Sequence, residues 1–171
     1  MKNAVHHEKD TLPSENQTAL HLRTGEGKAV WMNGDLYTQL IDTEETCGRV
    51  SILEATIPPG GGPPRHNHEN EDEIFYVTYG SLEISAGEQT FTATAGSLVF
   101  VPQGMMHGFR NTTRDFAKQL LIFTPGGFER FFFEVGLTAQ AGRPIPEVSN
   151  TNQEFARVIG AKYGSYQEVK I

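Results

Sequence analysis

The sequence predicts an all-β domain, a sandwich or barrel built from short antiparallel strands. Runs rich in β-branched and aromatic residues recur from residue 29 to residue 124, and each run has the length of a single strand. Eighteen glycines and nine prolines are spread between these runs, and such residues end strands and form turns. With 171 residues and 37% hydrophobic composition, the chain is long enough for one domain with a sizeable core and too short for two ordinary domains.

Ten strands are predicted where β-forming residues lie between turn signals. In chain order they cover residues 29–32, 36–42, 49–57, 65–68, 73–79, 81–86, 89–94, 98–101, 106–111 and 117–124. Gly87 suits a tight hairpin between two of them. Pro102 and Gly104 fall at the second and fourth positions of a type I turn, so the breaks between strands agree with the runs themselves.

Beyond residue 125 the pattern becomes helical. Phe128, Phe131, Phe132 and Val135 recur at the spacing of one helix face, and we interpret these aromatic residues as packing on the outside of the barrel. A second helix is predicted over residues 153–163. The predicted organisation is therefore an N-terminal arm (1–25), a β-barrel (26–125) and a helical extension packed on the barrel (126–171). The arm is either loose or an extended strand that docks on a neighbouring subunit.

Charge and composition exclude several classes of partner. The formal net charge is −7 and the sequence pI is near 5.3, and no cluster of lysine and arginine offers a site for a phosphate backbone. No apolar run approaches the roughly 20 residues of a membrane helix. The single cysteine, Cys47, cannot form an internal disulfide, and the first residues lack the apolar segment of a secretory signal. We expect a cytoplasmic protein that binds neither nucleic acid nor membrane.

Three histidines and a glutamate have the spacing of a metal site. His66 and His68 are two residues apart, so on one strand both side chains leave the same face, where they can share a divalent ion. Glu73 follows at an odd interval, so residues 69–72 must contain a turn or bulge. His107 follows the Pro-Gly turn and would add a fourth ligand from another strand. The neighbouring carboxylates are interpreted as solvated turn residues: Glu69, Glu71 and Asp72.

The same residues belong to two spaced motifs that resemble those of the cupin superfamily, and every motif position matches. The first motif consists of Gly60, His66, His68, Glu73 and Gly80, and the second of Gly96, Pro102, Gly104, His107 and Asn111. The resemblance implies a cupin double-stranded β-helix, a jelly-roll-like barrel of two antiparallel sheets whose three-histidine, one-glutamate metal site faces the barrel mouth. This ligand set suits one divalent transition metal: Fe, Mn, Ni, Co, Cu or Zn.

A further resemblance, to small bacterial cupins related to quercetin 2,3-dioxygenase, extends over the stretches 60–66, 70–77 and 125–132. It implies a metal-dependent dioxygenase acting on a small aromatic or enolic substrate. Glu73 then has two possible roles, as a metal ligand and as the catalytic base, and it could fill either one or both in alternation. The alternatives are a non-catalytic small-molecule-binding or sensor cupin, and a sugar isomerase or epimerase. The resemblance also implies a homodimer that pairs through its sheets.

The residues expected to contact the substrate are mostly apolar, and this composition favours an aromatic ligand over a sugar. Filling of the barrel is an alternative role for each of the apolar candidates, and it is the preferred one for Phe123, whereas Tyr37 could donate a hydrogen bond to a ligand or to a metal-bound histidine. The candidates are Tyr37, Phe75, Met106, Phe109 and Phe123.

Overall fold

The computed structural model describes residues 18–144, 146 and 150–168, and strands make up most of its regular secondary structure. Most of the predicted N-terminal arm therefore lies outside the described residues. The strands are β1 Ala29–Met32, β2 Asp35–Ile41, β3 Ser51–Ile57, β4 His66–His68, β5 Asp72–Tyr79, β6 Ser81–Ala86, β7 Gln89–Thr94, β8 Leu98–Val101, β9 His107–Arg110, β10 Ala117–Thr124, β11 Leu137–Thr138 and β12 Ser165–Gln167. Helix α1, Glu129–Val135, precedes β11, and helix α2, Asn150–Lys162, precedes β12.

These strands form two antiparallel sheets. One has seven strands in the order β11-β1-β2-β3-β10-β5-β8, and the other has five in the order β12-β4-β9-β6-β7. Side chains alternate between buried and partly exposed along β3 and β10, because one face of the larger sheet packs toward the core. The predicted all-β fold is confirmed. The two sheets are not closed into a barrel, since no strand of the described residues is hydrogen-bonded into both sheets.

All ten predicted strands are present. Five have the predicted ends, and the other five differ by one or two residues at an end. Strands β11 and β12 were not predicted, because two and three residues are too few to show alternation. Each forms because the folded chain places it beside an open strand edge, β1 for β11 and β4 for β12.

Helix α1 covers one end of the space between the sheets. Its Phe132 ring lies 4.5 Å from the ring of Tyr37, and Phe128 contacts both Phe123 and His68, so it touches inward-facing residues of both sheets. The buried carboxylate of Glu129 accepts the backbone N–H groups of Thr43 at 3.0 Å and Gly127 at 2.8 Å and fastens the helix. The expectation that this helix packs on the outside is therefore wrong.

The loop that leads into β4 lies close against β9. Gly62 has a φ of +124°, and a Cβ there would collide with the carbonyl oxygen of Phe109, so only glycine allows this approach. At the end of β9 the buried side chain of Asn111 donates to the carbonyl oxygens of Ile57 and Asp115, each at 2.8 Å. The first contact places the loop before β4 against β9, and the second ties the end of β9 to the end of β3.

Within the part of the chain that the structure describes, neither helix is long and apolar enough to cross a membrane.

Candidate metal centre

The four predicted ligands meet between the two sheets. His66 pairs with His107 across β4 and β9 in the five-stranded sheet, and His68 follows on β4. Glu73 comes from β5 in the seven-stranded sheet. One donor atom of each residue lies within 4.8 Å of those of the others, so three strands and both sheets contribute to one possible metal-binding site.

The odd spacing between His68 and Glu73 has a clear structural cause. The chain bends at Glu69 and Asn70 and passes from β4 in one sheet to β5 in the other. The predicted interruption is present, and it is larger than a bulge because the strand changes sheet. This crossing points the glutamate back toward the two histidines that precede it.

The donor atoms converge as a cation requires. The ring centroids of His66, His68 and His107 are 4.6 to 5.1 Å apart. The Oε2 atom of Glu73 lies 2.8 Å from His107 Nε2 and 3.3 Å from His68 Nε2. These three atoms are buried and make no aligned hydrogen bond within the described residues. Leaving such groups unsatisfied costs about 1–3 kcal/mol each, and a divalent ion among them would satisfy all three.

Each histidine ring is held from its far side. The Nδ1 atom of His66 is 2.9 Å from the carbonyl oxygen of Pro64, and that of His107 is 2.8 Å from the carbonyl oxygen of Met105. The Nδ1 atom of His68 lies 2.9 Å from a carboxylate oxygen of Glu71. Such contacts fix ring orientation and leave Nε2 free for a metal. The interpretation of Glu71 as a solvated residue is wrong, since its side chain is only 5% exposed.

The electrostatics of the metal-free site follow from burial and from these contacts. Burial and the nearby rings of His107 and His68 lower the pKa of His66 to about 3. Burial also disfavours a charged His68, but the carboxylates of Glu71 and Glu73 outweigh it and raise the pKa of His68 to about 9. Burial alone would raise the pKa of Glu73, yet the facing imidazoles hold it well below its usual range. At neutral pH the site thus contains an ionised Glu73 and a protonated His68.

Phenylalanine rings surround the histidines. The ring of Phe128 packs edge-on against His68 with centroids 4.0 Å apart, and Phe123 lies 5.8 Å from the same imidazole. Phe75 lies 5.8 Å from His107. These aromatic contacts exclude water from one side of the site and restrict rotation of the imidazoles.

A cavity opens from the ligands toward the helices, and its empty space, including the open mouth, measures about 560 Å³. His66, His68 and Glu73 lie in its wall. Most of the remaining wall is apolar: Met32, Phe109, Leu121, Phe128, Phe131 and Phe132. Polar side chains are fewer: Asn33, Tyr37, Arg157, Ser165 and Gln167. The composition suits a ligand with an aromatic body and few polar groups.

The predicted substrate residues divide into two groups. Tyr37 and Phe109 lie in the cavity wall. Phe75 and Phe123 are 1% and 0% exposed and stand behind the histidines, and Met106 is not part of the wall.

Sequence reasoning missed the contributions of α1, α2 and β12 to this wall. The helical spacing of the phenylalanines gave a signal for α1, but that spacing does not show which side of a sheet a helix covers.

The fold and the site define a small double-sheet protein with a three-histidine, one-glutamate centre between its sheets. The family model of the cupin domain matches residues 53–123, a range that contains all four candidate ligands. This match supports membership of the cupin superfamily.

Several known proteins are similar to it. Quercetin 2,3-dioxygenase of Bacillus subtilis is 26% identical over 115 residues, which cover 67% of this chain and 34% of the relative. Polyketide synthase CurC of Streptomyces cyaneus is 33% identical over 94 residues, which cover 54% of this chain and 60% of the relative. The chain thus spans about a third and three fifths of these relatives.

Among solved structures, the polyketide cyclase RemF from Streptomyces resistomycificus superposes with a TM-score of 0.57. It is 20% identical, and the match covers 81% of this chain and 92% of the other. This likeness supports the cupin double-stranded β-helix fold.

Proposed function

We propose that the protein is a metal-dependent enzyme that acts on a small aromatic or enolic substrate, with dioxygenation as the first candidate reaction. One observation carries this proposal: the buried centre of His66, His68, Glu73 and His107 opens directly into a cavity with aromatic walls. The similarity to a quercetin 2,3-dioxygenase supports it. The fold alone would not, because cupin-like folds host many chemistries.

The side chains around the cavity would have distinct roles in such a reaction. A divalent ion held by the four ligands would supply Lewis-acid and redox chemistry. Glu73 would accept the proton of an enolic or phenolic hydroxyl brought to the centre, since its carboxylate is ionised and faces the cavity. Phe128, Phe131 and Phe132 would hold the aromatic body and exclude water.

Cyclisation of a polyketide chain is the second candidate. The similarity to polyketide synthase CurC favours it, and the same geometry would serve, because polyketides carry enolisable carbonyls and become aromatic on cyclisation. A non-catalytic binding role would use the same cavity without turnover. A sugar isomerase fits least well, since sugars need many polar partners and most of this wall is apolar.

Oxygen uptake separates the candidates. Natively expressed protein of measured metal content is incubated with flavonols, β-diketones and catechols in an oxygen electrode, and parallel anaerobic samples with these substrates and a linear polyketide analogue are analysed by mass spectrometry. We expect oxygen consumption that is lost in Glu73→Gln and kept in His21→Ala, a histidine outside the site. Protein with stoichiometric metal that consumes no oxygen would contradict the dioxygenase, and anaerobic conversion would favour the cyclase. Bound zinc without turnover would favour a binding role.

We also propose that two copies pair through the outer face of the seven-stranded sheet. Two apolar rows cross β10, β5 and β8 on the side away from the core, where antiparallel sheets usually carry polar residues. Cross-strand pairing joins Ile122, Ile74 and Phe100 in one row and Leu120, Tyr76 and Leu98 in the other. Within these three strands neither row contains a charge, and the neighbouring Glu54 of β3 is paired with Lys118. The sheet of a second copy would pack against the rows at about 10 Å.

Light scattering coupled to size-exclusion chromatography tests this pairing. We expect a dimer mass for the natural chain and a monomer mass for Leu98→Lys or Phe100→Lys, whose side chains are 61% and 52% exposed. A buried lysine without a partner opposes association. Thr92→Lys, an exposed position on β7 of the other sheet, is the matched control and should stay dimeric. A monomer mass for the natural chain would refute the pairing.

A further inference from the structure

We propose that Glu71 is a positioning residue of the metal centre, whose carboxylate accepts the Nδ1–H of His68 and so directs the Nε2 lone pair of that ring toward the ion. This inference rests on the proposed metal site. It assigns a role to a carboxylate that belongs to neither cupin motif and that the local sequence gives no reason to separate from its acidic neighbours.

The contact between Glu71 and His68 is buried. His68 and Glu71 are 2% and 5% exposed, and Nδ1 lies 2.9 Å from Oε1. Within the described residues neither atom makes an aligned hydrogen bond, so the two form an ion-pair contact at hydrogen-bond distance. Among the flanking carboxylates, Glu69 is exposed, and Asp72 accepts the backbone N–H of Gln103 at 2.8 Å. Glu71 alone of the three turns toward a ligand.

The position of the imidazole between two carboxylates explains what Glu71 does. The Nε2 atom of His68 faces Glu73 at 3.3 Å while its Nδ1 faces Glu71. A histidine ring can turn over and exchange its two edges, and packing against Phe128 does not distinguish them, because both orientations have nearly the same shape. An acceptor on one side does distinguish them, since only one orientation places an N–H at the acceptor and a lone pair at the ion.

His68 differs in this respect from the other two histidines. His66 and His107 have neutral backbone carbonyls at Nδ1, whereas His68 has an anionic partner. A charge-assisted hydrogen bond is shorter and stronger than a neutral one, and it makes the opposite nitrogen a better donor to a metal. Glu71 and Glu73 together also carry two negative charges, which balance a divalent ion in a buried site.

Nuclear magnetic resonance of the zinc-loaded protein, with heavy nitrogen in its histidines, tests the role directly. Each ligand ring should show a protonated Nδ1 and a zinc-bound Nε2. We expect the Nδ1 proton of His68 to resonate downfield of the other two and to move upfield in Glu71→Gln, because the charged acceptor is lost. The signals of His66 and His107 serve as internal controls. Release of zinc into excess chelator should become about tenfold or more faster.

Two further variants separate positioning from a structural role. Glu69→Gln removes an exposed charge from the same turn and should leave the spectrum and the release rate unchanged. Glu71→Asp keeps the charge on a shorter side chain and should restore part of the downfield shift. A zinc-loaded Glu71→Gln protein with an unmoved His68 signal and an unchanged release rate would overturn this inference alone. A natural chain that takes up no zinc would overturn the proposed metal centre and this inference with it.

Discussion

Replacing His107 with alanine is expected to abolish stoichiometric metal binding. Its Nε2 atom lies 2.8 Å from the Glu73 carboxylate, and the side chain is 1% exposed. Changes at groups that only orient a ligand cost tenfold to hundredfold in affinity. Loss of the ligand itself should therefore lower the metal affinity by more than about a hundredfold. Metal content after dialysis measures the effect.

Thermal unfolding gives an independent measure of the same loss. An ion present at about 100 times its dissociation constant stabilises the folded chain by about 2.7 kcal/mol. The natural chain should therefore melt at a higher temperature with metal than without it, and His107→Ala should show no difference. His21→Ala, at an exposed position, is the control for loss of a histidine as such. One tightly bound ion per chain in His107→Ala would show that the ligand set is not the one described.

A second variant guards against misfolding. Alanine at position 107 leaves a void beside Phe75, and voids of this kind destabilise a core. His107→Gln fills most of that volume with a weak metal ligand. It should fold as the natural metal-free chain does, by circular dichroism, and still fail to retain metal.

The strands could be predicted from the sequence because their signals are local. Alternating burial along β10 and the glycine turn between β6 and β7 depend only on neighbouring residues, and both were predicted with the correct ends. The ligands His66 and His68 follow from strand parity in the same way. The bend before Glu73 could be predicted in the same way, because residues an odd number apart on a continuous strand point to opposite faces.

The rest depends on which elements meet, and no local pattern contains that information. Glu71 and Glu69 lie in the same polar turn, but in the folded chain Glu71 is buried and Glu69 is exposed. The phenylalanines of α1 predicted a helix, but the tie from Glu129 to Thr43 that draws the helix over the cavity joins residues far apart in the chain. Strand β12 exists because β4 offers it an edge.

Metal affinity is expected to rise with pH by about tenfold per pH unit through the neutral range, as for one displaced proton. In the metal-free site the carboxylates of Glu71 and Glu73 outweigh burial and raise the pKa of His68 to about 9. A metal binds only the deprotonated ring, so below this pKa each ion must displace a proton. Above it the dependence should level off. Neither His66, whose pKa is lowered to about 3, nor Glu73 contributes to the slope near neutrality.

Calorimetric titration of metal into the metal-free protein, in buffers with different ionisation enthalpies, measures both the slope and the protons released. We expect about one proton from His68 per ion at neutral pH. Glu71→Gln should flatten the slope, because loss of its carboxylate lowers the pKa of His68. Glu69→Gln should not. A pH-independent affinity across the neutral range would show that the two carboxylates do not hold a proton on His68.

The stability of the metal-free chain should fall as the pH rises, whereas the metal affinity should increase. The opposite directions of the two changes provide a test. A group whose pKa is higher in the folded chain than the ordinary 6.5 of histidine stabilises the fold below that ordinary value. This contribution is lost as the pH rises through about 9. The melting temperature of the metal-free protein should therefore fall over this interval while its affinity for metal rises. A parallel rise of both would rule out His68 as the shared titrating group, because one proton cannot both stabilise the empty site and favour its occupation.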